Sequence, residues 1–137
     1  MSDGMREWRF YVDDMISFGE KVLAYTAGMD QSAFVANTLV FDATVRNLEL
    51  IGEAAIHVPD EVRHEPARPP EGRIPECAAR RYPSKHPQVP WRMIIATRNR
   101  LIHAYLGVDN DTLWSIVITD VPALLPMLRV LRSQAPG

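Results

Sequence analysis

The chain has 137 residues, of which 47% are hydrophobic and 23% charged, and its formal net charge is -2. This length suits one domain with its own hydrophobic core, and the composition is typical of a folded globular protein rather than a disordered one. The lone cysteine, Cys77, excludes an intrachain disulfide and a cysteine-based zinc cluster. The slightly negative charge argues against a broad basic surface that coats nucleic acid, but it allows a local cationic site. We therefore treat residues 1–137 as a single domain.

No stretch approaches the roughly 18 to 20 uninterrupted apolar residues that are needed to cross a bilayer. Residues 1–9 also lack the basic and then apolar layout of a signal peptide. The sequence therefore predicts a cytoplasmic protein with no membrane partner.

The first segment with a helical period covers residues 5–26. Its apolar residues recur at spacings of three, four and seven, which is the pattern of an amphipathic helix. Gly28 can adopt the left-handed conformation that ends a helix, and Asp30 or Ser32 can cap the next one. The apolar stripe consists of Trp8, Val12, Met15, Gly19, Val22 and Leu23.

A second helix is predicted at residues 33–57, and Pro59 ends it. Gly52 lies beside the apolar stripe and would let a neighbouring helix approach closely. Glu49 and Glu53 are spaced i and i+4 near the margin of the stripe. They are either a solvated pair of acids or the source of a counter-ion for a cation on another helix. The stripe consists of Phe34, Phe41, Val45, Leu48, Ile51 and Ala55.

The composition changes between residues 59 and 90, which hold eight of the eleven prolines. Such a density of proline disfavours regular structure, so we predict a long loop there. Connections of this length within a compact domain are usually functional or disordered. A basic patch surrounds Tyr82 near the end of the loop. It has two interpretations, a solvated loop or a contact with a nucleic-acid backbone. The patch consists of Arg80, Arg81, Lys85 and His86.

Residues 91–107 are predicted to form a third helix, with Pro90 in its first turn and Gly107 as its C-terminal cap. Arg98 lies within the apolar stripe of this helix, although an arginine is almost never fully buried without a partner. Its charge therefore implies a buried ion pair, or a cleft or subunit seam where it meets a ligand. The stripe consists of Trp91, Ile94, Ile95, Leu101, Ile102 and Leu106.

Asp109 or Asn110 can cap a fourth helix. Pro122 and Pro126 interrupt its pattern, so we expect a kink or a break near Asp120, followed by a last helical piece. No strand pattern is convincing. The sequence therefore predicts an all-α, up-and-down four-helix bundle with the proline-rich loop between helices two and three.

The third helix carries the side chains that are candidates for catalysis or ligand binding. Asn99 and His103 are spaced i and i+4 along one edge of the stripe that contains Arg98, and Tyr105 lies close to the line of Arg98. No two histidines of the chain have metal-ligand spacing on a common helix, and no glycine-rich phosphate loop is present. We therefore expect neither a metal nor another cofactor.

Arg98 and His103 fit the metal-independent attack of an RNA 2′-hydroxyl on the adjacent phosphate. His103 would transfer the proton, and Arg98 would stabilise the charge that grows on the phosphoryl oxygens. Cleavage of this type works best with one acid and one base, so a two-fold dimer would supply a second histidine. Glu49 or Glu53 would then hold Arg98 in place.

The pattern Arg98-Asn99, His103 and Tyr105 resembles the signature of the HEPN superfamily, and specifically of the HepT-like toxins. That signature is an arginine, four residues, a histidine, one residue and a tyrosine. The segment from about residue 65 to 86 departs from the family because it is longer and richer in proline. Further matches in order and approximate spacing are Asn47-Leu48-Glu49, Ile51-Gly52-Glu53-Ala54-Ala55, Pro90-Trp91, Leu101-Ile102-His103-Ala104-Tyr105, Leu113-Trp114 and Asp120-Val121-Pro122.

The resemblance implies a HEPN-like helical bundle that forms a homodimer and acts as a metal-independent ribonuclease toxin. Arg98 and His103 would be the catalytic residues in a cleft between protomers, with Asn99 accompanying the arginine. Of the two acids on the second helix, we assign Glu53 as the polar support of this site. The resemblance also implies a partner, a minimal nucleotidyltransferase antitoxin that transfers AMP to the motif tyrosine, here Tyr105. An adenylyl group there would place bulk and negative charge beside the cation that receives RNA phosphate.

Two other functions remain as hypotheses. A non-catalytic helical module could bind the nucleotidyltransferase partner and keep the motif for assembly. A purely structural bundle would use Arg98 for stability alone and would satisfy the hydroxyl of Tyr105 inside the bundle.

Overall fold

The computed structural model describes residues 3–63, 89–103 and 108–134, and every regular element in these ranges is helical. This confirms the predicted all-α fold. The elements in chain order are α1 (Asp3–Thr26), α2 (Gln31–Ala36), α3 (Thr38–Ile56), α4 (Asp60–Arg63), α5 (Trp91–His103), α6 (Asn110–Ser115), a π-helical segment (Ile116–Asp120) and α7 (Val121–Ser133).

The core lies where α1 packs between α3 and α7. The stripe predicted for α1 faces inward, with Val12, Met15 and Val22 fully buried. The helices α1 and α7 run antiparallel, since Arg132 Nε lies 2.7 Å from Asp13 Oδ1 and Arg129 Nη2 lies 3.3 Å from Glu20 Oε1. Burial of apolar side chains between these helices is the main force that holds the bundle together.

The helix α5 lies at the outside of this arrangement. It packs against α3, and within the described residues it shares no extended contact with α7. The up-and-down bundle is therefore open along α5, whose second flank no other described helix covers.

The predicted second helix is wrong in one respect, because it is interrupted at Asn37. The backbone of Asn37 is extended, with φ -92° and ψ 92°, and its side chain accepts a hydrogen bond from the Val40 amide at 3.1 Å. Its own amide still donates to the Ala33 carbonyl at 3.1 Å. Asparagine side chains compete with helical backbone bonds in this way, so Asn37 ends α2 and caps α3. Asp30 caps α2, as one of the two predicted alternatives, by accepting from the Ala33 amide at 2.8 Å.

The prediction of a long irregular loop is wrong at its beginning, where α4 forms one helical turn. The Pro59 carbonyl accepts hydrogen bonds from the amides of Val62 and Arg63 at 2.9 and 3.0 Å. Asp60 and Glu61 occupy the first turn, where negative side chains favour helix formation. The rest of the predicted loop and its basic patch lie outside the described residues.

The irregularity predicted near Asp120 takes the form of a π-helical turn rather than a break. The Val121 amide donates to the Ile116 carbonyl five residues earlier, and the chain continues directly into α7. Pro122 and Pro126 have no amide hydrogen, so regular α-helical bonding is impossible at both positions. A wider turn keeps the chain helical across this region.

Asp109 caps α6 by accepting a hydrogen bond from the Thr112 amide at 2.6 Å. The backbone and the side chain of Thr112 hold the pKa of Asp109 below its usual value. Because this pKa is lowered in the folded state, the cap contributes stability above the ordinary carboxyl pKa and loses it as the pH falls through the lowered value.

Residues 110–133 are long and apolar enough to cross a membrane by length and composition. The sequence expectation counted uninterrupted apolar residues, whereas this stretch contains Asp120 and Arg129. It also buries Leu125 and Leu128 in the core. Core helices of soluble proteins pass the same test, so the match carries little weight.

Gly52 is the point of closest approach between α3 and α5. A methyl group added to it would overlap the Cβ atom of Arg98 and lie 2.7 Å from the Arg98 Cγ atom and 3.3 Å from the Ile94 carbonyl oxygen. The missing side chain therefore makes room for the stem of Arg98, which confirms the role predicted for this glycine.

Gly52→Ala should destabilise the protein by about 1–3 kcal/mol, because overpacking at a fixed Cβ atom forces the helices apart. This cost exceeds the gain of about 1 kcal/mol in helix propensity. Urea unfolding monitored by circular dichroism measures it.

Gly19→Ala is the matched control, because its methyl group would meet side-chain atoms alone, and the one close contact is the end of the Leu125 side chain, with Cδ2 at 2.8 Å. Leu125 can move aside by rotation, so this change should cost less. Equal stability of the two variants would contradict the close-approach argument.

Candidate functional site

Arg98 lies in the seam between α3 and α5, with 22% of its side chain exposed. Its Nη2 atom donates to Glu53 Oε2 at 2.8 Å, and its Nη1 atom donates to Asn99 Oδ1 at 2.8 Å. The half-buried charge on the packing face thus has an acidic partner on the neighbouring helix, which is one of the two explanations that the sequence allowed.

The counter-ion is Glu53 and not Glu49. Glu49 points along its own helix and lies 3.3 Å from Arg46 Nη1. Glu53 is one turn further, next to Gly52, where α5 comes closest. The position of Glu53 therefore follows from the same close approach that admits the stem of Arg98.

The guanidinium of Arg98 keeps unused hydrogen-bonding capacity. It carries five N–H groups, and two of them are used by Glu53 and Asn99. The Nε atom is buried and has no hydrogen-bond partner among the described residues. Each Nη atom has one further N–H, and such paired donors fit the oxygens of a phosphate.

His103 and Asn99 lie on the open side of α5, and both are exposed. At about 100° per residue, the directions of Arg98 and His103 differ by about 140° around the helix axis. In the part of the chain that the structure describes, no hydrogen bond or ion pair joins His103 to the pair of Arg98 and Glu53. Asn99 lies between the two directions, and its Oδ1 atom accepts the hydrogen bond from Arg98 Nη1.

The open side of α5 also carries apolar surface. Ile102, which the sequence analysis placed in the apolar stripe, is 39% exposed, and Met93 is 56% exposed. Among the described helices, α3 is the extensive neighbour of α5, so the edge of the stripe at Ile102 stays uncovered. Trp91 and Leu101 from the same stripe are buried as predicted.

Sequence reasoning missed His57, which adjoins the same carboxylate. Its Nε2 atom lies 3.7 Å from Glu53 Oε1, and half of its side chain is exposed. Its ring stacks on Tyr11 of α1, with the centroids 4.9 Å apart and the planes inclined by 17°. The i, i+4 spacing from Glu53 to His57 was the available signal. The histidines were compared only with one another, for metal-ligand spacing, so the spacing to a carboxylate was missed.

Two further predictions concern this site. Tyr105 lies outside the described residues, as does the end of the predicted third helix. Within residues 3–63, 89–103 and 108–134, no three His, Cys, Asp or Glu side chains are grouped closely enough to hold a metal ion.

The chain is similar to known proteins over most of its length. The profile of the family described as "Ribonuclease HepT-like" matches residues 15–131. "Putative RNase MJ1380" of Methanocaldococcus jannaschii is 30% identical over 119 residues, which are 87% of this chain and 91% of the relative. "Probable ribonuclease HepT" of Thermococcus cleftensis is 29% identical over 127 residues, which are 93% of this chain and 97% of the relative. No solved structure matches the chain.

The matched region begins within α1 and extends nearly to the end of α7, so it includes Glu53, Arg98, Asn99 and His103. The resemblance found in the motif thus extends over most of the described bundle. The chain belongs to the HepT-like ribonuclease family.

Proposed function

We propose that this protein is a metal-independent endoribonuclease that acts as the toxin of a toxin–antitoxin pair. The observation that carries the proposal is the arrangement of Arg98, which Glu53 anchors while further guanidinium donors have no partner among the described residues, on the helix that exposes His103. Membership in a ribonuclease family supports RNA as the substrate.

In the proposed reaction the 2′-oxygen of RNA attacks the adjacent phosphorus as an imidazole of His103 accepts its proton. Arg98 stabilises the negative charge that develops on the phosphoryl oxygens. The bond to the 5′-oxygen breaks, and that oxygen takes a proton from a second, protonated imidazole. The products are a 2′,3′-cyclic phosphate and a 5′-hydroxyl, so atoms and charges balance without a metal.

We propose that the second imidazole comes from a second copy of the chain. The support is twofold: α5 is open along one flank and exposes Ile102 there, and His103 projects from that side. A two-fold axis along this flank would cover the apolar edge and bring two copies of His103 to one groove, with an anchored Arg98 on each wall.

The proposed partner is a minimal nucleotidyltransferase that neutralises the toxin in the cytoplasm by transferring AMP to Tyr105. The support is chemical. Tyr105 follows Arg98 by seven residues in the motif, and a phosphodiester added there would compete with RNA phosphate for the guanidinium.

His103→Ala should reduce cleavage of single-stranded RNA in EDTA by about 10²- to 10⁴-fold, because it removes the proton-transfer group. Arg98→Lys should also impair cleavage, because an ammonium lacks the paired donors of a guanidinium. Gel analysis of a fluorescent oligoribonucleotide measures both effects.

Arg129→Gln, on α7, is the matched control for loss of a surface charge and should leave cleavage unchanged. Equal cleavage by wild type and His103→Ala would reject the catalytic role of His103. A wild-type protein that cuts no RNA would favour the non-catalytic module that binds a nucleotidyltransferase.

Expression of the chain alone should arrest the growth of its bacterial host, because unregulated RNA cleavage stops protein synthesis. His103→Ala should restore growth, and colony counts after induction measure the effect. Normal growth with abundant, folded wild-type protein would count against the toxin role.

Co-expression with the neighbouring nucleotidyltransferase should add the mass of one or more AMP groups to the chain. Tyr105→Phe should abolish this addition, because it removes the acceptor oxygen, and intact-mass spectrometry measures it. The same mass increase in the phenylalanine variant would reject Tyr105 as the acceptor, and Tyr25→Phe on α1 serves as the control.

A further inference from the structure

The carboxylate of Glu53 lies between two groups that can both be cations. Its Oε2 atom is 2.8 Å from Arg98 Nη2, and its Oε1 atom is 3.7 Å from His57 Nε2. Building on the proposed ribonuclease function, we infer that His57 is a positioning residue, which controls how much positive charge Arg98 presents to RNA by competing for Glu53.

The geometry holds His57 in place for this role. His57 is the C-cap of α3 and follows Glu53 by one helical turn, so the two side chains lie on the same face. The stack on Tyr11 restrains the imidazole from the side of α1. Half of the His57 side chain is exposed, so the ring can exchange protons with solvent.

The net charge of Arg98, Glu53 and His57, which we call the trio, depends on whether His57 is protonated. With a neutral imidazole, Arg98 and Glu53 compensate each other, and an approaching phosphate meets no net charge. With a protonated imidazole, the single carboxylate is shared by two cations, and the trio carries one net positive charge. The added positive charge attracts phosphate. It also weakens the ion pair between Glu53 and the guanidinium, because the carboxylate now interacts with two cations.

The surroundings of His57 leave Glu53 as its acidic partner. From α1 it faces the ring of Tyr11, and from α5 it is linked to Arg98 through Glu53. Asp60 on α4 pairs with Arg63 of the same helix. Within the described residues, no other carboxylate lies within 4.0 Å of His57.

The size of the effect follows from exposure. Glu53 and His57 have 48% and 50% of their side chains exposed, so solvent screens their interaction. Exposed ion pairs of this kind change a binding constant by about two- to fivefold. The effect is confined to pH values at which an imidazole is protonated, and it vanishes when the ring is neutral.

The test measures binding of a 2′-O-methyl oligoribonucleotide by fluorescence anisotropy from about pH 5.5 to 8 at constant ionic strength. This probe lacks the 2′-hydroxyl, so the proposed reaction cannot cut it. Wild type should bind about two- to fivefold more tightly than His57→Gln at the acidic end. The two proteins should bind equally at the alkaline end. Protonation of His103 affects both proteins alike and cancels in their ratio.

Two further variants separate positioning from structure. His57→Lys supplies a permanent cation, so its binding should stay tight at the alkaline end, where wild type weakens. In a Glu53→Gln background there is no carboxylate to share, so only the direct attraction between the imidazole charge and RNA remains, and the pH-dependent effect of His57→Gln should be smaller than in wild type. Arg129→Gln, which removes a cation from α7, should shift affinity by the same factor at every pH. Circular dichroism verifies that each variant is folded.

The outcomes distinguish the two claims. Parallel pH profiles of wild type and His57→Gln would overturn the inference while leaving the ribonuclease proposal intact. A pH-dependent effect of His57→Gln that is equally large in the Glu53→Gln background would overturn it as well. Failure of wild type to bind the probe at any pH would overturn the proposed function and, with it, this inference.

Discussion

The ion pair between Arg98 and Glu53 connects the fold to the site, because it crosses the same seam that joins α5 to the rest of the bundle. A guanidinium in an apolar stripe would be costly without this partner. Glu53 reaches it only because Gly52 brings the two helices close together. The pairing therefore depends on the packing, and the position of the cation depends on the pairing.

The elements with a strong period or an unambiguous cap could be predicted from the sequence. The stripe of α1 and the position of Gly52 followed from residue type and spacing, and an acidic partner for Arg98 was one of the two explanations that the sequence allowed. The break at Asn37 could not, because the side chain chooses between solvent and the Val40 amide only in the folded chain. The choice of Glu53 over Glu49 depended on the crossing point of two helices far apart in sequence, which periodicity does not specify.

The edge position of α5 explains why burial was harder to predict than helix formation. A stripe read from the sequence gives the apolar side of a helix, but the number of neighbours decides how much of that side is covered. With α3 as its extensive neighbour, α5 buries Leu101 and leaves Ile102 exposed. His57 was missed for a related reason, since its relevance comes from a ring stack on Tyr11 of α1 and from a carboxylate shared with Arg98 of α5 rather than from any motif.

The space beside Gly52 has a consequence for how this sequence can vary. The Cβ and Cγ atoms of Arg98 fill the volume in which a side chain at position 52 would have to lie. Every residue except glycine has a Cβ atom, so the overlap with position 98 stays whichever side chain replaces the arginine. Loss of the arginine would therefore not release position 52, and the glycine there is a mark of the helix crossing rather than of the charge.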